Sequence, residues 1–128
     1  MRAARCRWLI APGTWDVRAR VERFDEPALL LLLRDGERHG YELADALGEL
    51  VSQERRVDLG NLYRMLRALE AEGVVASQWR ADLPGPAKRT YELTAIGERL
   101  LDDWAVALRR VAVTIGGFLQ RYQEGRRT

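Results

Sequence analysis

A chain of 128 residues with a formal charge of +2 is long enough for one domain that buries its own core, and its balance of 21 basic and 19 acidic residues does not by itself mark a nucleic-acid binder. One cysteine, Cys6, and one histidine, His39, exclude an internal disulfide and a cysteine-based zinc site, so no metal and no cofactor is expected. No run approaches the roughly 20 apolar residues that span a bilayer, and the apolar WLIA near the start falls short of the ~7 a signal peptide needs. The chain therefore reads as soluble, cytoplasmic and without a membrane partner.

The distribution of charge says more than its sum. Residues 1–24 hold Arg2, Arg5, Arg7, Arg18, Arg20 and Arg23 against Asp16 and Glu22, and Arg121, Arg126 and Arg127 crowd the other end. Residues 1–24 lack a sustained period and contain Pro12-Gly13, so they read as a basic arm with room for one short helical turn. In EPALLLLLRDG, Pro27 suits a first helical turn and Asp35-Gly36 closes it, which gives a first helix buried on most sides. After the turn ERHG, Tyr41, Ala44, Leu47 and Val51 recur at helical spacing, widened by Leu43 and Leu50, and define a second helix. His39 reads as a turn residue beside Gly40.

Asp58 is a good N-cap for a third helix, whose Leu59, Leu62, Leu66 and Leu69 form an apolar stripe that stops at Gly73. Residues 74–80 then alternate with Val75 and Trp79 on one face, residues 90–93 put Tyr91 and Leu93 together, and ADLPGPAK between them has the prolines and glycine of a bent loop. A two-stranded hairpin follows three helices in the order of a winged helix-turn-helix, and Trp79 is expected in the core under the wing. Thr94 caps a last helix in which Leu101, Trp104, Leu108, Val111, Ile115, Phe118 and Tyr122 recur in steps of three and four. That a/d seam is about 32 Å long at ~1.5 Å per residue, more than a small domain can cover, and the surplus argues for a second copy of the chain. The expected class is mainly α (α+β), with an arm at 1–24, a winged helix-turn-helix at 25–93, a dimerisation helix at 94–124 and a tail at 125–128.

On helix three, Asn61 has the chemistry to bond an adenine edge bidentately and Arg64 to reach guanine or phosphate; the plainer reading is a solvated helix face. Tyr63 flanks the leucine stripe as a core residue would, yet its hydroxyl suits a phosphate. Arg67 suits a phosphate too, or an ion pair with Glu70 three residues on. Lys88 and Arg89 at the wing suit phosphates or the minor groove, against the alternative of a tip that is basic only for solubility. Trp104 is either a knob in the dimer seam or a flat stacking surface for a small aromatic effector. Paired carboxylates such as Asp102-Asp103 have no histidine, nucleophile elbow or phosphate loop beside them, so no catalytic residue and no enzyme is expected. A winged-helix adaptor that binds protein and not DNA is the alternative class.

Four stretches together resemble the PadR-like family of transcriptional regulators: HGYEL at 39–43, LGNLYRMLRALEAEGVV at 59–75, Trp79, and GPAKRTYELTAIG at 85–97. The resemblance covers about residues 26–111. It implies a homodimeric repressor of double-stranded DNA at a pseudo-palindromic operator, with helix four and the N-terminal helix building the dimer contact and a small-molecule effector in some members. Where the family often carries Ser-Pro-Gly-Thr before Leu-Tyr, this chain has Asp58-Leu59-Gly60-Asn61, which implies a different base preference.

Overall fold

Five consecutive leucines, residues 29–33, leave no polar side on which a helix could rest in water, and such a helix has to be enclosed. In a computed structural model that describes residues 7–17, 24–51, 58–82 and 84–126, they form α1 (Asp25–Arg34), with Ala28, Leu29, Leu30 and Leu33 buried. The element order around it is β1 (Arg7–Ala11), β2 (Thr14–Val17), α1, β3 (Arg38–His39), α2 (Gly40–Val51), α3 (Leu59–Ala71), β4 (Val75–Arg80), β5 (Lys88–Leu93) and α4 (Ala95–Arg126).

The third helix forms as its sequence requires. The Asp58 carboxylate accepts a hydrogen bond from the Gly60 amide at 2.9 Å and so satisfies one of the amides left open at the helix start. Leu62, Leu66 and Leu69 are buried, and Leu59 is half-buried. Gly73, at φ +78°, ends the helix in a left-handed conformation that other residues rarely adopt. The last helix starts on Thr94, whose hydroxyl accepts from the Gly97 amide at 3.0 Å and donates to the Gly73 carbonyl at 2.6 Å, tying the start of α4 to the end of α3.

Four expectations change. The second helix buries Leu43 and Leu47, while Tyr41 is 67% exposed and Leu50 is also exposed. Tyr41 and Leu43 are two residues and about 200° apart on a helix, so only one can face the core; the side chain of Val51 lies outside the described residues. The wing is not a lone hairpin, because β3 adds a third strand in the order β3-β5-β4, with Arg38 opposite Tyr91 and His39 opposite Thr90. Trp79 is 67% exposed. It shares a face with Val75, but four residues of strand, about 13 Å, carry it past the edge of the core.

The fourth change is at the N-terminus. Residues 7–17 form an antiparallel hairpin, with Leu9 opposite Trp15 and Gly13 in the turn at φ +74°, where no strand was expected; the rest of the arm lies outside the described residues. Aromatic and β-branched residues on either side of a Pro-Gly pair favour strands and a tight turn over a helix. Trp15 is buried against the body of the protein, and the Arg7 guanidinium lies 5.6 Å from the centre of its ring. Arg7 Nε also bonds Glu26 Oε2 at 2.7 Å, and Arg7 Nη2 bonds Glu72 Oε1 at 2.7 Å. Burial alone would lower the Arg7 pKa, but the hydrogen bonds to Glu72 and Glu26 hold it above its ordinary value. Of the arginines in the arm, Arg7 alone lies in the described part.

Along α4 the burial changes partway. Leu100, Leu101, Trp104 and Ala107 are buried, Leu108 and Val111 half-buried, and Ile115, Phe118 and Tyr122 exposed at 45%, 69% and 53%. The first two side chains of the expected dimer seam, Leu101 and Trp104, therefore belong to the chain's own core, because α1 and β2 pack against this part of the helix. Gly116-Gly117 lies within the helix without interrupting it.

Candidate nucleic-acid interface

With the leucines of α3 facing inward, residues 61, 64 and 67 fall on its outer side, and Asn61, Arg64 and Arg67 are all exposed. Arg64 Nη2 donates to Asn61 Oδ1, so the amide and the guanidinium are held together one turn into the helix. Tyr63 is half-buried and leans on the start of α2, where a Cβ at Gly40 would overlap its ring. The glycine of His39-Gly40 is thereby explained: it lets the tyrosine of α3 pack directly on the backbone of α2.

The wing meets the same side of the molecule. Lys88 and Arg89 open β5 and are exposed. Arg89 Nη2 reaches Glu70 Oε1 at 3.3 Å and Ser77 Oγ at 2.9 Å, while the Ser77 hydroxyl donates to Glu70 Oε2 at 2.5 Å. Glu70 thus pairs with the wing, where the sequence suggested Arg67. Trp79 lies opposite Arg89 in the strand register, with the guanidinium 6.0 Å from its ring centre.

Between α2, α3 and the wing lies a cleft of about 450 Å³, walled by Tyr41, Tyr63, Trp79 and Tyr91 and flanked by Arg67, Lys88 and Arg89. Burial pushes the Tyr91 phenol above its ordinary pKa, which keeps it a protonated donor. All six residues singled out on helix three and the wing thus come to one side of the molecule, and Tyr63, Arg67, Lys88 and Arg89 line this cleft. Tyr41 and Trp79, read as core from the sequence, belong to it as well; the strand register that sets Trp79 opposite Arg89 was the available signal for the second. Trp104 is elsewhere. Its ring is 1% exposed and its Nε1 donates to Glu26 Oε2 at 2.7 Å, which leaves no stacking surface for an effector.

No group of histidines, cysteines and carboxylates suited to a metal occurs among the described residues, and no described helix is long and apolar enough to cross a membrane. Three helices, a three-stranded wing with cations at its outer end and a long C-terminal helix define a winged helix-turn-helix. The model of the transcriptional regulator PadR-like family matches residues 29–103. The chain belongs to this family, and it is a transcriptional regulator, not an enzyme.

Over 83 residues it is 36% identical to the transcriptional regulator Rv3488 of Mycobacterium tuberculosis, covering 65% of this chain and 74% of that one. It is similar to Bacillus subtilis PadR, solved in complex with operator DNA, at 30% identity and a TM-score of 0.57. That match covers 66% of this chain and 48% of the other, so the chain spans about half the length of the Bacillus subtilis protein. A PadR-like regulator from Bacillus cereus shares the fold, with a TM-score of 0.69 at 24% identity over 78% of this chain and 95% of that one.

Proposed function

We propose that the chain is a homodimeric repressor that binds double-stranded DNA at a pseudo-palindromic operator. Asn61 and Arg64 read base edges in the major groove, and Tyr63, Arg67, Lys88 and Arg89 hold phosphates on either side. The observation that carries this reading is the exposure of Asn61, Arg64 and Arg67 over a leucine stripe that fixes α3 rigidly, with Lys88 and Arg89 beside them on the wing. Such a helix face can enter a groove without reorganising the core. The Bacillus subtilis relative, which was crystallised with its operator, supports DNA as the partner.

The second copy packs on the distal half of α4, where Leu108, Val111, Ile115, Phe118 and Tyr122 continue the seam beyond the chain's own core. Relief by a small aromatic effector finds its room in the wing cleft rather than at Trp104. A planar ligand seated there covers Tyr63, Arg67, Lys88 and Arg89, and so competes with DNA. Nuclease protection of the DNA flanking the gene tests the reading, together with binding measured at several salt concentrations. A symmetric protected site is expected, with affinity falling by ~0.9 log units per phosphate contact for each log unit of salt. A protein that protects nothing and shows no salt slope is an adaptor.

A further inference from the structure

We propose that the cleft between α2, α3 and the wing is a nucleotide site, in which the base of a nucleoside monophosphate meets the rings of Trp79 and Tyr41 and its phosphate is held by Arg67 and Lys88. The inference rests on the reading of this cleft as an effector site and names the ligand. The cations of the cleft are accounted for by duplex DNA, but its aromatic rings are not. A duplex offers phosphates along its backbone and base edges in its grooves, and keeps the faces of its bases stacked inside. Tyr41 on α2 and Trp79 on β4 are each 67% exposed and bring their rings to one cavity. A ring left in water adds nothing to the core, and its flat face is a stacking platform for an unstacked base.

Charge decides what that base carries. No carboxylate is among the described residues that wall the cleft. Neither Arg67 nor Lys88 has an ion pair among the described residues, and Arg89 shares one with Glu70. A single carboxylate is matched by one guanidinium, which would leave the second cation without a counterion. A phosphate monoester brings a charge of about −1.5 to −2 and three acceptor oxygens at neutral pH, enough for both. The Arg89 guanidinium lies 6.0 Å from the centre of the Trp79 ring, so a base stacked on Trp79 sets its substituent beside the wing cations. The cavity, about 450 Å³, falls within the roughly 300–1,000 Å³ of small-ligand sites. Bound there, the nucleotide covers Arg67 and Lys88, which the DNA reading assigns to phosphates. Nucleotide and duplex therefore exclude each other.

Isothermal titration calorimetry on the full chain tests this with adenosine monophosphate, adenosine, inorganic phosphate and benzoate, while the anisotropy of a labelled duplex reads displacement. Adenosine monophosphate is expected to bind and to release the duplex over the same concentration range, with adenosine and inorganic phosphate each roughly tenfold weaker or more. Trp79→Ala is expected to weaken adenosine monophosphate roughly tenfold and to leave inorganic phosphate unchanged, with folding checked by circular dichroism. Tyr41→Ala carries the same test if Trp79→Ala does not fold. Inorganic phosphate that binds as tightly as the nucleotide, or nucleotide binding that is unchanged in both variants, overturns the proposal. So does a single-stranded oligonucleotide that binds where adenosine monophosphate does not, because the site then belongs to an unpaired strand. If benzoate binds and releases the duplex while adenosine monophosphate does neither, the nucleotide is refuted and the effector reading of the cleft stands. If no compound releases the duplex, both fall.

Discussion

Arg89 in β5 and Glu70 in the last turn of α3 approach to 3.3 Å, with the Ser77 hydroxyl bonded to both side chains. The recognition helix and the wing are thus joined by a charge pair that sits on the face proposed to meet DNA. Both side chains reach solvent, at 45% and 32% exposure, so the pair itself adds little to folding. Its larger effect is on the partner, because Glu70 places a negative charge beside a cation that phosphate must attract.

Glu70→Gln should therefore strengthen binding to random duplex DNA, by roughly two- to fivefold at low salt, with unchanged thermal stability to within about 1 kcal/mol. Fluorescence anisotropy with a labelled duplex measures it. Weaker binding would mean that Glu70 serves to aim Arg89, and that its charge matters less than its grip.

Two glycines should separate folding from binding. At Gly97 an added Cβ would overlap the Val74 carbonyl oxygen and the Leu93 side chain, and a backbone atom cannot swing away. Gly97→Ala is expected to cost more than about 2 kcal/mol in urea unfolding. At Gly40 the obstacle is the far end of Tyr63, which can move. Gly40→Ala should cost less stability and more DNA affinity, since it displaces a side chain of the proposed interface.

What could be read from the sequence was what local period and local chemistry decide. The Leu62, Leu66 and Leu69 stripe, the Asp58 and Thr94 caps and the Gly73 stop each depend on residues within a few positions of one another, and all appear as expected. The strand at Arg38–His39 was not legible, because two residues carry no pattern and pair only with β5, far along the chain. The N-terminal hairpin was hidden because Trp8, Leu9, Ile10 and Ala11 form a short unbroken apolar run, which carries no alternation to mark a strand. Tyr41, Trp79 and Trp104 show the remaining limit. An aromatic residue at apolar spacing packs against whatever the tertiary fold brings to it, and spacing alone does not say whether that is core, cleft or partner.

Trp104 joins α4 to α1 through its bond to Glu26, the carboxylate that Arg7 also holds. Trp104→Phe removes that donor and leaves a void in the core, for an expected loss of about 2–4 kcal/mol. Arg7→Ala leaves the two glutamates without their cation, and because Glu72 is partly in water the expected loss is smaller, about 1–3 kcal/mol. Urea denaturation of both variants measures these losses. A stable Arg7→Ala protein would show that Trp15 burial alone holds the hairpin.

The proposed effector relief is tested most directly through Trp79, the exposed indole of the wing cleft. A planar aromatic acid that enters between Trp79, Tyr41 and Tyr63 should quench tryptophan emission saturably and lower DNA affinity at the same concentration. The quench should vanish in Trp79→Phe. If it persists there and disappears on changing Trp8 instead, the ligand binds at the hairpin and the cleft is not its site.

Base reading and phosphate anchoring should separate on one operator. In the proposed dimer, two recognition helices related by a two-fold axis must meet the same face of the duplex, so the half-sites are expected about one or two helical turns apart, roughly 34 Å per turn. Arg64 donates to Asn61 Oδ1 in the free chain, which holds the amide one turn into the helix and leaves its second lone pair and both N–H donors for an adenine edge. Asn61→Ala is therefore expected to cost about 1–3 kcal/mol on the operator but little on random DNA, and to relax the preference at one position in each half-site. Arg67→Ala, and the pair Lys88→Ala with Arg89→Ala, should weaken operator and random DNA alike. For every phosphate that a subunit no longer holds, the salt slope should flatten by roughly one unit. Anisotropy on both duplexes at three salt concentrations distinguishes these results. Equal weakening on both DNAs for every variant would remove Asn61 from base reading, and unchanged binding for all of them would move the DNA-binding surface off α3 and the wing altogether.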